Sequence, residues 1–117
     1  MKKNLEHQFN MLIREIRKEY VGNGPKEIHT RFVGNWAISE MKGNITNVEN
    51  FIINSKEWQH IVHEARTTLV KQIYKNPVIL NKVENMMNAK IVSIFTDFDL
   101  DIDTAMTIYV FDKPIQC

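Results

Sequence analysis

Leu5, Phe9, Leu12, Ile13, Ile16 and Tyr20 recur at three- and four-residue steps, with Lys, Arg and Glu filling the positions between them. This is the stripe of an amphipathic helix. "GNGP" at 22–25 ends it, because glycine tolerates positive φ and proline cannot continue the helical ladder. The period then changes to two. In "KEIHTRFVGNWAISEMKG" the Gly34-Asn35 pair predicts a two-residue hairpin turn that sets Val33 opposite Trp36. That register places Ile28, Thr30, Phe32, Ala37, Ser39 and Met41 on one face, expected to be core. His29, Arg31, Val33, Trp36, Ile38 and Glu40 fall on the other.

"TNVE" at 46–49 has the form of a capping box and opens a helix that bends or restarts near Asn54-Ser55. The next stripe, Trp58, Ile61, Val62, Ala65, Leu69 and Ile73, predicts a long helix. Asn76-Pro77 then reads as an N-cap followed by proline at the first helical position, opening a shorter helix through Ile79, Val83, Met86 and Met87 that Asn88 closes. "KIVSIFT" and "TAMTIYVF" are rich in strand-forming residues and predict a second hairpin joined by the aspartate stretch. The order is α-β-β-α-α-β-β, an α+β fold in which two hairpins form a four-stranded, mainly antiparallel sheet packed on helices.

A chain of 117 residues fits a single domain spanning 1–117. Its 15 basic and 14 acidic residues nearly cancel, so bulk attraction to nucleic acid is not indicated. No apolar run reaches the roughly 20 residues needed to cross a bilayer, and direct membrane insertion is not expected. The start "MKKNLEHQFN" is basic like a signal peptide, but Glu6, His7 and Gln8 interrupt the apolar run that would have to follow. Together with a single cysteine, Cys117, this suggests the cytoplasm.

"TDFDLDIDTAM" carries Asp97, Asp99, Asp101 and Asp103 at alternate positions. A calcium loop of the EF-hand type needs glycine at its sixth position and glutamate at its twelfth; counted from Asp97 these are Ile102 and Ile108. A turn that keeps the hairpin tip solvated explains the aspartates better. His60 and His63 stand three apart, which can suit a shared metal, but both lie opposite the apolar stripe and read as solvated. Cys117 at the chain end is poorly placed to be held against a base. Arg66 flanks its helix stripe, where it can cover the core edge or meet an anion or a partner carboxylate. No catalytic, cofactor or metal site is therefore assigned. The candidate interaction surface is Arg31, Val33, Trp36 and Ile38, with Arg66.

The combination of "GNGP" after the first helix, "KGNIT" with Glu49 three after Thr46, "VHEAR" in the long helix, and "KIVSIFTDFD" before "YVFD" resembles the MpsC-like family over about residues 5–112. That family is named for a component associated with a sodium-translocating, membrane-potential-generating system. Its pattern would have glycine at Trp58, a basic or apolar residue at Glu40 and glycine at Asn88. The resemblance implies a non-enzymatic accessory or regulatory protein beside a membrane cation or inorganic-carbon transport system, whose subunits would be its partners. The residues leave two alternatives: a small-ligand or metal-binding enzyme using the aspartates, His60 or His63, and a nucleic-acid-binding domain using the sheet as a stacking platform. A homodimer is also expected. Val33, Trp36 and Ile38 turn away from the first hairpin's core face. The second hairpin is apolar on both faces, with Ile91 and Phe95 on one and Val92 and Ile94 on the other.

Overall fold

The structure, a computed structural model, describes residues 2–21, 24–44 and 56–115. Among them the chain forms α1 (Lys2–Val21), β1 (Glu27–Val33), β2 (Trp36–Lys42), α2 (Lys56–Ile73), α3 (Pro77–Met87), β3 (Ile91–Asp99) and β4 (Thr104–Phe111). The four strands make one antiparallel sheet in the order β1-β2-β4-β3, the α+β architecture expected from the sequence. The "TNVE" capping box and Cys117 lie outside the described residues, as do the first two residues of "GNGP".

The first hairpin has the expected register, with Val33 opposite Trp36. Gly34 takes φ +58°, where nothing crowds its α-carbon, and this positive φ lets the strands reverse in two residues. All six residues of the expected core face are buried. Phe9 and Ile13 of α1 are fully buried above them. Phe9 meets Phe32 and Tyr109 edge-on, with ring centroids 6.0 and 5.2 Å away. Such edge contacts favour a fixed ring geometry over a fluid one.

The N-cap of α3 is Asn76, whose side chain accepts from the backbone of Val78, and Asn88 closes the helix in the left-handed conformation at φ 52°. Ile79, Val83 and Met87 anchor this helix in the core. The phase of α2 differs from the sequence expectation. Its buried residues are Val62, Arg66, Val70 and Ile73, whereas Trp58 and Ile61 are each half exposed and Ala65 is exposed. Arg66 sets this phase: its guanidinium donates to the Asn44 carbonyl and lies over the Phe98 ring, 5.2 Å from the centroid. An arginine so engaged turns inward and carries the helix with it.

The second hairpin departs in two ways. A bulge between Ile91 and Ser93 shifts the alternation of β3 by one residue. Ile91 therefore pairs with Phe111 on the same side of the sheet as Ile94, not with Phe95. The aspartates also divide. Asp97 and Asp99 belong to β3, and only Asp101 and Asp103 lie in the turn. Asp103 takes φ 46°, a conformation aspartate tolerates better than most residues.

The covered face carries a polar row. Thr30 pairs with Ser39, Ser39 with Thr107 and Thr107 with Thr96, so four hydroxyl residues cross the whole sheet beneath the helices. Thr30 and Ser39 oxygens are 2.8 Å apart, those of Thr96 and Thr107 are 3.0 Å apart, and Thr30 also donates to the Asn10 side chain of α1. Paired hydroxyls avoid the penalty of an unsatisfied buried donor.

Candidate functional site

Because side chains alternate across a strand, the registers place a second set of residues on the opposite face, which none of the three helices covers. One row there reads Val33, Trp36, Val110 and Ser93 from β1 to β3. The next reads Arg31, Ile38, Ile108 and Phe95, and the third His29, Glu40, Met106 and Asp97. Val33, Trp36, Phe95 and Met106 are 52, 47, 60 and 41% exposed. They join Ile38, Ile108 and Val110 in one apolar patch spanning all four strands, and patches of that extent mark interaction surfaces.

Charge borders the patch at both edges of the sheet. The β1 edge has His29 and Arg31, and a recess of about 540 Å³ runs beside them, lined also by Glu6, Asn10, Glu40 and Met106. The β3 edge has Asp97 and Asp99. Asp97 Oδ1 lies 2.7 Å from His63 Nε2 and accepts from the backbone of Phe98. The hydrogen bond from His63, and next the one from Phe98, hold the Asp97 carboxyl below its usual range.

The sequence-predicted site residues fall in two places. Arg31, Val33, Trp36 and Ile38 share the open face; Arg66 is buried on the far side of the sheet. The two histidines, expected to be solvated alike, also separate. His60 stays exposed beside Glu64 at 3.1 Å, whereas His63 bridges α2 to the β3 edge. Asp99 accepts from the backbone of Asp101, shaping the turn, and Asp103 Oδ1 accepts from the backbone of Asn44. Among the described residues, no three His, Cys, Asp or Glu side chains converge as metal ligands.

A model of the family described as the Na+-translocating membrane potential-generating system (MpsC) matches residues 1–113. The chain belongs to the MpsC family. It is 40% identical over 110 residues to the uncharacterized protein YrhF of Bacillus subtilis (strain 168), covering 94% of this chain and 89% of that one. No solved structure matches it.

Several residues of the MpsC-like motifs meet at one corner of the fold. Gly43 takes φ +73° with the Lys26 side chain 2.7 Å from where a β-carbon would stand, so no other residue fits there without displacing it. Asn44 follows, buried, with its amide nitrogen 2.8 Å from the Met41 carbonyl. Its backbone joins Asp103 to Arg66, and Arg66 reaches Phe98. This corner ties the end of β2, the turn before β4 and the helix α2 together. It positions the open face without contributing to it.

Apolar residues of the open face outside the sequence-derived surface are Phe95, Met106, Ile108 and Val110. Their period-two alternation was visible, but which alternate set stays uncovered follows only from the pairing of β2 with β4 and of β4 with β3. His63 and Asp97 are 34 residues apart, and no local pattern connects them.

Proposed function

We propose that this chain acts by binding and not by turnover, as an accessory or regulatory component of the sodium-translocating, membrane-potential-generating system for which its family is named. The observation that carries this reading is the apolar patch of the open sheet face. Three of the groups that could do chemistry support it, because they are engaged in holding the fold: Asp103 on Asn44, Asp99 on its turn and Arg66 on Asn44 and Phe98. The patch in turn offers contact area and a charged border, the makings of a protein interface.

No helix among the described residues is long and apolar enough to cross a membrane. In this reading membrane association goes through partner subunits, on the cytoplasmic side. Deleting the gene should lower the membrane potential or inorganic-carbon uptake, and the wild-type chain should restore it. A Trp36→Glu, Arg31→Glu variant should stay folded and fail to restore it. Unchanged potential and uptake in the deletion strain, or turnover of a metabolite by the purified protein in an unbiased screen, would overturn the reading.

A further inference from the structure

We infer that the open sheet face is the contact between two copies of this chain, stacked face to face about a two-fold axis parallel to the strands. The inference deepens the binding reading above and rests on it.

The distribution of polarity points to a covered surface. Beneath the helices the middle of the sheet carries the hydroxyl row of Thr30, Ser39, Thr107 and Thr96, while the uncovered side carries Trp36, Ile38, Ile108, Val110 and Phe95 at comparable depth along the same strands. Val33, Trp36, Ile38, Phe95, Met106, Ile108 and Val110 are thus gathered on the side that no described helix covers, where a sheet face left to water alternates to polar residues. Its size suits a second copy. Four strands about 4.8 Å apart and seven residues long at about 3.4 Å each give a footprint of roughly 450 Å². Side-chain relief raises the accessible area toward the ~800 Å² per partner of an ordinary stable interface.

Charge then selects the axis. An axis parallel to the strands lays the β1 edge of one copy over the β3 edge of the other and keeps each row at its own level. Apolar patch meets apolar patch, Arg31 faces Phe95 of the second copy, and His29 faces its Asp97, whose side chain is 81% exposed and open to a further donor. Both contacts occur twice, as an isologous interface requires. An axis perpendicular to the strands would stack β1 on β1. With the axis through the middle row Arg31 would then crowd Arg31, and Val33 and Trp36 would lie over His29 and Glu40 instead of over apolar side chains.

The test is the mass of the purified chain and the geometry of its cross-links. Light scattering at micromolar concentration should give twice the 13.8 kDa chain mass. Trp36→Glu should give a folded monomer, while Lys82→Glu on the exposed side of α3 should leave the dimer intact. In a Cys117→Ser background, Arg31→Cys with Phe95→Cys should yield a covalent dimer with a thiol cross-linker reaching about 8 Å. Sheets in face contact lie about 10 Å apart, whereas β1 and β3 of one sheet are about 14 Å apart. Neither single cysteine variant should form it. His29→Asp should weaken the dimer at least tenfold, and Asp97→Arg added to it should recover part of the loss. A wild-type monomer, a dimer indifferent to Trp36→Glu, or cross-linking by Arg31→Cys alone would each overturn the arrangement. A monomer that still restores the deletion strain sinks the dimer and leaves the accessory reading standing; a dimer whose loss changes no phenotype does the reverse.

Discussion

The two faces of the sheet are built from the same strands and alternate residues, yet they are stabilised differently. The covered face combines rings, small side chains and paired hydroxyls. Phe9 meets Phe32 and Tyr109 edge-on beside the buried Ala37, Ala105 and Ser39 of the sheet, and Tyr74, just past the end of α2, reaches Tyr109, with hydroxyl oxygens 2.9 Å apart and rings in edge contact at 5.2 Å. The open face has larger aliphatic and aromatic groups and none of the described helices above them. Stability of the single chain is concentrated in the first face. The second is available for association, and its contribution should depend on a partner.

The sharpest way to break this contrast is to truncate one residue on each side. Phe9→Ala removes a fully buried ring and should cost about 3–5 kcal/mol at any protein concentration. Trp36→Ala should cost little in the isolated chain. Any larger loss should grow with protein concentration, because association stabilises by mass action. Chemical unfolding at two widely separated concentrations measures both. Equal and concentration-independent losses would erase the distinction.

Arg17 is the weak point of the covered side. It is buried on α1, and its Nε and Nη2 have no hydrogen-bond partner among the described residues. It stands outside the apolar stripe of Leu5, Phe9, Leu12, Ile13, Ile16 and Tyr20. Two unpartnered nitrogens on a buried cation are costly, so Arg17→Met should raise stability by roughly 1–3 kcal/mol in thermal or urea unfolding. A loss of that size would show that the guanidinium is compensated.

The Tyr74 and Tyr109 hydroxyls come next in size. Tyr74→Phe alone leaves the Tyr109 hydroxyl without its partner and should cost about 1–2 kcal/mol, while Tyr74→Phe, Tyr109→Phe should recover most of that. Burial raises both phenol pKa values, that of Tyr109 well above 10.0. The folded state therefore favours the neutral phenols. Their contribution is complete below pH 10 and is lost as pH rises through the folded values, where the unfolded chain has already ionised. The double variant should flatten this alkaline limb of the stability curve.

The smallest expected effect lies at the exposed edge between the faces. The folded-state pKa of Asp97 is lowered by His63 and by the Phe98 backbone, so its contribution is present above the ordinary value of 3.8 and disappears as pH falls through the lower folded value. Asp97→Asn should remove that part of the acid sensitivity and change little near neutrality, as expected for an exposed pair. Unfolding midpoints from pH 2 to 7 would show it.

Local pattern alone determined much of this protein. Helix stripes, the Gly34-Asn35 turn and the Asn76 and Asn88 caps are each set by residues within a few positions of one another, so their physics is complete in a short window. The alternation of the first hairpin likewise showed which six residues face the core. Tertiary structure decided what depends on distant partners. The bulge at 91–93 reset the face of Ile91, Arg66 rotated α2 by finding the Asn44 carbonyl and the Phe98 ring, and Asp97 met His63 across 34 residues. The extent of the open face belongs to the same class. Ile38, Ile108 and Phe95 become one row only when β2 pairs with β4 and β4 with β3, because a strand's sequence fixes its alternation but not its neighbour.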